Sequence, residues 1–401
     1  MTDVVIVGGG PAGMMAGLLF ARAGVSTLVL EKHADFLRDF RGDTVHPSTL
    51  RIFDELGMLD ALLARPHDKA YVLSGIVGGD SVKIADFSHL PGKCRFVALM
   101  PQWEFLDFVA DAARRYPDFN LRMNAEAVGL VNEDGRIVGV RTIEDGSERI
   151  VRSRLVIAAD GRRSVLRGQS ALPLTDLGAP IDVFWFKLSK RRTVDNRSTG
   201  VIATGRLLAV IDRGDYWQCA YVFAKGAAEL LHKAGLGNFR EDVARTAPFL
   251  AAATAELTDW DQVKLLTVSL DRLDRWHRPG LLVIGDAAHA MSPIGGVGIN
   301  LAIQDAVAAA NILAGPLAAG APIDPLLGKV QRRRILPTRI VQGVQRRAQN
   351  RLIADVILRN VPITGAPRIL RLMQRFPVLQ RIPAYMIGIG FRAEHVRSPI
   401  A

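Results

Sequence analysis

The sequence predicts an α/β protein in which a parallel sheet carries an inserted antiparallel sheet and ends in a helical region. Three observations predict it. Val4-Val5-Ile6-Val7 is a β-branched run leading into a glycine-rich turn and an apolar helical stretch, Met14 to Ala23, the order of a buried parallel strand and its crossover helix. Two more buried runs, Leu155–Ala159 and Leu281–Ile284, end in Asp160-Gly161 and Gly285-Asp286 far downstream. Between them lie longer runs of strand character bounded by turn signals.

At 401 residues and 49% hydrophobic the chain can bury a large core, and its length suggests two or three domains. Two cysteines, Cys94 and Cys219, are too few for a disulfide framework, so a reducing cytoplasm is the expected compartment. Residues 1–10 lack the basic start of a signal peptide and read as a strand entering a turn. The uncharged run Ala306–Ile323 is rich in alanine and contains Asn311, Pro316 and two glycines. It reads as a soluble helix ending in a turn rather than a membrane span. The net charge of +11 is concentrated at the end, where residues 331–401 hold fourteen arginines against Asp355 and Glu394. Such a tail suits anionic lipid, acidic substrates or nucleic acid, or is a solvated helical face.

Gly8, Gly10 and Gly13 have the GxGxxG spacing. The first allows a tight turn, the second lets backbone approach a pyrophosphate, and the third lets helix pack on strand. The helix start offers free N–H groups and partial positive charge to phosphates. A second strand, Ser26–Leu30, ends at Glu31, eighteen residues after Gly13. An acid there suits an adenosine ribose and disfavours a 2′-phosphate. This Rossmann-like unit predicts dinucleotide binding without choosing between FAD and NAD.

Two later motifs choose. The first is Asp160-Gly161-Arg162-Arg163-Ser164. The second is Gly285-Asp286-Ala287-Ala288-His289, followed by Ser292-Pro293-Ile294-Gly295-Gly296-Val297-Gly298-Ile299-Asn300 and a helix through Asp305. In motif order over about the first 315 residues, the chain resembles the p-hydroxybenzoate hydroxylase-like flavoproteins, the class A FAD-dependent monooxygenases. The resemblance implies non-covalent FAD and a transient NAD(P)H reductant. It implies a cofactor set of Gly8, Gly10, Pro11, Ala12, Gly13, Glu31, Lys32, Arg41, Gln102, Val128, Asp160, Gly285, Asp286, Pro293, Gly296, Val297, Gly298, Ile299 and Asn300. Arg41 resembles the family's arginine at the flavin pyrophosphate, and Gln102 a glutamine that contacts flavin. Asp286 closes a strand at the ligand-binding end of the sheet, where a carboxylate can accept a ribityl hydroxyl. Gly295, Gly296 and Gly298 clear the backbone so that N–H groups can face a flat ring. Asp160 either lies near the pyrophosphate or holds the turn that aims Arg162. His289 reads better as a packed or capping histidine than as a ligand.

The runs Ile181–Leu188, Gly200–Ile211 and Tyr216–Phe223, with residues 71–97, predict an antiparallel sheet over the flavin ring. Phe184, Trp185, Phe186, Trp217 and Tyr221 are candidates to line an apolar pocket, although alternation points only half of them inward. No acid–base pair stands out. His46, His89 and Tyr216 are the candidate activators of a phenol, each weighed against a structural role. No metal site is expected.

The predicted architecture is therefore a Rossmann-like FAD-binding domain (1–70, 98–175, 270–337), an inserted antiparallel β-sheet substrate domain (71–97, 176–269) and a C-terminal basic helical region (338–401). In the last, Ile340, Val344, Ala348, Leu352 and Val356 recur at four-residue spacing, which predicts an amphipathic helix over 338–359. That region either packs within the protein, forms a homodimer contact or lies peripherally on a membrane. No nucleic-acid recognition pattern is present. A single GxGxxG implies no separate nicotinamide domain. The leading function is hydroxylation of an aromatic or polyketide-like molecule by NAD(P)H and molecular oxygen through a flavin hydroperoxide. The alternatives are an FAD-dependent reductase or dehydrogenase of an isoprenoid or other lipid, and a flavin-binding interaction protein without turnover. A halogenase is disfavoured because Trp-x-Trp-x-Ile-Pro is absent.

Overall fold

A computed structural model describes residues 2–37, 44–190, 198–350, 354–357 and 362–401. Arg41 and Leu352 lie outside the described residues.

The first sheet has five parallel strands in the spatial order Leu281–Val283, Ser147–Ala158, Thr2–Val7, Thr27–Leu30 and Phe119–Arg122. Strand alternation divides its core in two. Val4, Ile6, Val29, Leu155 and Ile157 face the helices Pro11–Arg22, Gln102–Ala113 and Gly298–Ala318. Val5, Val7, Leu28, Val156 and Ala158 face an antiparallel layer built on Ala125–Glu133 and Arg136–Glu144. Both faces are covered, which is why these strands read as unbroken apolar runs. The Ser147–Ala158 strand belongs to both layers, pairing antiparallel at its start and parallel at its end.

The Gly298–Ala318 helix is the one helix among the described residues long and apolar enough to cross a membrane, and 78% of that stretch is buried inside the protein. Pro316 falls in its last turn.

The second sheet has seven strands, ordered Lys264–Leu266, Ile181–Ser189, Tyr216–Ala224, Arg206–Asp212, Thr199–Ala203, Val72–Val77 and Asp80–Asp86. Two expectations need correction. The run 200–211 is not one strand but a hairpin, because Gly205 at φ +70° supplies a tight turn between Ala203 and Arg206. The sheet is also not wholly antiparallel, since Thr199–Ala203 pairs parallel with Val72–Val77.

The expected boundary at residue 337 falls inside a single helix, Asp324–Ala348, with Pro337 buried in its interior. The helix also buries a different face from the one its apolar spacing suggested. Val344 is exposed, whereas Arg334, Thr338, Gln342 and Gln345 are buried. The physical reason lies in what the helix covers.

Candidate functional site

The three glycines of the first turn are each explained by their surroundings. A Cβ on Gly8, which has φ +105°, would lie 2.4 Å from the Ala159 carbonyl oxygen, and one on Gly13 would lie 1.9 Å from the Gly8 oxygen. Gly10 is different: nothing lies within 4 Å of its Cβ position, so its side of the turn is open. Pro11 starts the helix and Ala12 is buried beneath it, leaving the first-turn N–H groups available to an anion. The Glu31 carboxylate braces the turn, accepting the Gly9 N–H at 2.8 Å and the His33 N–H at 3.1 Å. Lys32 points to solvent. Val128 sits in the neighbouring strand, its carbonyl held by Gln169. Gln102 starts the Gln102–Ala113 helix and is half-buried.

At the next strand end, Asp160 accepts from the Ser164 hydroxyl at 2.5 Å and from the Leu166 N–H at 3.4 Å. Burial pushes its carboxyl above the usual range, against the lowering effect of the Ser164 hydrogen bond. These bonds hold the short helix Val165–Gln169 and the turn that presents Arg162. The Arg162 Nε donates to Asp286 at 2.9 Å, while its Nη1 is buried without a partner. An orphaned guanidinium nitrogen beside a carboxylate is a polar opening waiting for an acceptor.

Gly285, at φ +61°, is wedged between Ala12 and Ala302, whose methyl carbons would come within 3.1 and 3.2 Å of an added Cβ. Gly296, also at φ +61°, has no room for a side chain, since its Cβ would meet the Thr44 hydroxyl at 2.3 Å. Thr44 instead donates to the Gly296 carbonyl at 3.0 Å. The Asn300 side-chain amide is committed within the protein, which leaves its backbone N–H as the group that can face a cofactor. Its oxygen accepts from the His46 N–H and the Thr49 hydroxyl, both at 2.8 Å, and its nitrogen donates to the carbonyls of Thr44 and Gly296. Asn300 thus positions the loop. Pro293, Val297, Gly298 and Ile299 remain on the loop and first helical turn, where Gly298 lies against Asp286.

Sequence reasoning missed what holds this loop from behind. Gln342, Gln345 and Gln349 stand at i, i+3 and i+7 on the long helix, all buried. Gln342 donates to the carbonyls of Asp271 and Ala290, and Gln345 accepts the Ser292 N–H and donates to the carbonyls of Ser292 and Ile294. Gln349 donates to the Ser292 hydroxyl at 2.7 Å. A loop without regular structure needs side-chain partners for its buried backbone, and this is why the helix turns amides rather than leucines inward.

His289 is packed, as its sequence context suggests. It is buried against Trp276 and donates to Asp305 at 2.5 Å. Asp305 also accepts the Gly285 N–H and pairs with the fully buried Arg334, which pairs with Glu394. Burial alone would raise the Asp305 carboxyl, but the charges and hydrogen bonds of His289 and Arg334 hold it below its usual range.

The candidate activators fare differently. His46 is buried, with its Nδ1–H donated to the Ile387 carbonyl at 2.7 Å, and burial lowers its pKa to about 4 despite that bond. A neutral, sequestered imidazole is placed for structure rather than for proton transfer. His89 is on a surface turn beside Asp86. Tyr216 is half-buried, with the Lys187 ammonium 4.0 Å over its ring.

Of the five aromatic candidates for the pocket, four point away from it. Phe184, Phe186, Trp217 and Tyr221 form a core with Phe239 and Val243 on the far side of the sheet. Only Trp185 lies on the near side, with Val183, Ala209, Ala220, Ile294 and Ile357. Along that face the pairing runs Trp185, Ala220, Ala209, Gly200 and Gly75, a floor of small residues with one indole at its edge. The Trp185 Nε1 is buried and unbonded.

With this geometry in place, comparison with known proteins identifies the class. Residues 1–344 match the family described as FAD binding domain, and the chain belongs to that family. It is 33% identical over 319 residues to the 6-methylpretetramide 4-monooxygenase of Streptomyces rimosus, covering 78% of this chain and 75% of that one. It is 26% identical over 407 residues to the aklavinone 12-hydroxylase of Streptomyces peucetius, covering 90% and 77%. Other related monooxygenases are matched over as little as 57% of their length. The fold matches the crystal structure of PqsL, a probable FAD-dependent monooxygenase from Pseudomonas aeruginosa, with a TM-score of 0.75 at 22% identity over 89% of this chain and 96% of that one. The chain is an FAD-dependent oxidoreductase of the monooxygenase class.

Proposed function

We propose that the chain hydroxylates a flat, polycyclic aromatic or polyketide-like molecule held between the seven-stranded sheet and the 293–300 loop. The observation that carries this reading is the floor of Ala220, Ala209 and Gly200 facing Ile294 and Ile357. Side chains this small leave width for a planar ligand, and nothing lies within 4 Å of a Cβ on Gly200. A slot opened over this floor would be apolar with few polar groups and would favour an aromatic ligand by burial of its faces.

The residues at the sheet's carboxyl end fit FAD. The open side of Gly10 and the first-turn N–H groups would take the pyrophosphate, and Glu31 the adenosine ribose. Arg162, through its unbonded Nη1, and Asp286 would meet the phosphate and ribityl region. The first-turn N–H groups of the Gly298–Ala318 helix would face the pyrimidine edge of the ring and stabilise negative charge there. When bound and reduced, FAD supplies the activation of molecular oxygen. The protein's part is to position the aromatic ring, exclude water through the apolar sheet face and offer the Trp185 N–H to a substrate oxygen. No described side chain of the slot is a ready general base, so a substrate that already carries an electron-donating hydroxyl or amino group is favoured.

The test is aerobic NADH and NADPH oxidation by the purified flavoprotein over a panel of phenols, quinones and polycyclic aromatics. Stimulation by a polycyclic phenol with an oxygenated product supports the reading. Flavin reduction without any oxygenated product across the panel would sink it.

A further inference from the structure

Residues 368–392 contain five arginines and no acidic residue. They form two helices, Arg368–Arg375 and Arg381–Gly388, joined by a turn at Pro377–Gln380. One side of this pair is anchored. Leu370 packs with Val77 and Val82, and Ala384 with Phe87 and Leu90. The Gln374 amide bonds both the N–H and the carbonyl of Lys83, satisfying the edge of the seven-stranded sheet.

The other side is apolar and uncovered. Ile369, Leu372, Phe376, Val378, Ile382 and Tyr385 are each between 44% and 62% exposed. Six large apolar side chains within seventeen residues form a patch that a soluble surface does not usually carry without a partner. Arg368, Arg371, Arg375 and Arg381 are exposed among them, and among the described residues none makes an ion pair. The charge decides between partners. A second copy docked through the same face would oppose arginine with arginine. A nucleic acid would leave the apolar side chains unmatched. An anionic bilayer satisfies both, with the apolar residues at the acyl boundary and the guanidinium groups among the headgroups.

We propose that the outer face of the 368–388 helices docks on an anionic lipid surface. The docked segment stands two hydrogen bonds from the loop at Asn300, because the Ile387 carbonyl holds the His46 ring and the His46 N–H donates to Asn300. The inference does not depend on the reaction proposed above.

The experiment is sedimentation of the FAD-loaded full chain with vesicles of equal parts phosphatidylglycerol and phosphatidylcholine, and with phosphatidylcholine alone, at low and high salt. Binding to the anionic vesicles is expected, weakened by salt. The double charge reversal R371E/R375E should lower the partition coefficient roughly tenfold or more, since each juxtamembrane arginine contributes several-fold. Phe376→Ser with Ile382→Ser should lower it comparably at low salt, with FAD content unchanged in both variants. No binding to anionic vesicles overturns the proposal. So does binding that the serine variant leaves intact, which would be charge adsorption alone, or a concentration-dependent dimer that the serine variant abolishes while vesicles bind nothing.

Discussion

Gly10 and Gly13 have the same side chain and opposite tolerances. Gly13→Ala would drive a methyl into the Gly8 carbonyl, so the expected outcome is a protein that fails to fold or loses several kcal/mol of stability. Gly10→Ala meets nothing in the protein, so the melting temperature of the FAD-free form should stay within a few degrees of the parent. Its affinity for FAD, measured by flavin fluorescence quenching, should fall about tenfold or more if the pyrophosphate occupies that side. Unchanged affinity would remove Gly10 from the site. His46 makes a pH prediction at the same scale. Its pKa is lowered from 6.5 to about 4, so the unfolded chain binds the extra proton between those values. The contribution of His46 is therefore fully present above about pH 6.5 and falls as pH drops toward 4, by roughly 3 kcal/mol at most. Urea melts of His46→Gln should show a shallower loss over that window than the parent.

The glutamine ladder is an element-scale device. Replacing Gln345 with leucine keeps the volume nearly constant but leaves the Ser292 N–H and the carbonyls of Ser292 and Ile294 without their partner. Each buried backbone group left unpaired costs about 1–3 kcal/mol. Gln345→Leu should therefore lower the melting temperature, and it should also shift the visible flavin spectrum or potential if the loop faces the ring as proposed. A stability loss without any change in the flavin would reduce the ladder to ordinary packing. The same scale explains what could be read from the sequence. Gly8, Gly13, Gly285 and Gly296 were legible because backbone geometry there admits one residue type, and such constraints recur at fixed spacing. The ladder was not legible, because its partners are carbonyls of an irregular loop and follow no hydrophobic period. The spacing of Ile340 and Val344 therefore points to the inward face that Gln342 and Gln345 occupy. The pocket aromatics failed for a related reason: both faces of the Ile181–Ser189 strand are covered, so alternation marked two sides without saying which faced Ile294.

Across the whole molecule, the last residues act as a strap. Glu394 pairs with Arg333 and Arg334, His395 and Val396 with Glu55, Arg397 and His395 with Asn311, and the chain ends on Arg22. The strap closes a buried chain of charge running from His289 through Asp305 and Arg334 to Glu394. Removing the Glu394 charge leaves the buried Arg334 with Asp305 alone, so Glu394→Gln should cost about 1–3 kcal/mol, measured by chemical denaturation. Because Asp305 also holds the Gly285 N–H, FAD release should speed up in that variant. A neutral effect would mean that water reaches Arg334.

In the proposed reaction these parts together transfer an oxygen atom to an aromatic ring held over the Ala209 floor, beside Trp185. Turnover under labelled dioxygen with a polycyclic phenol and NAD(P)H, followed by mass spectrometry of the product, tests it most directly. One labelled oxygen in the product is expected, with loss of that product when Ala209→Phe fills the floor while FAD remains bound. Unlabelled product, or labelled product undiminished by Ala209→Phe, would contradict it.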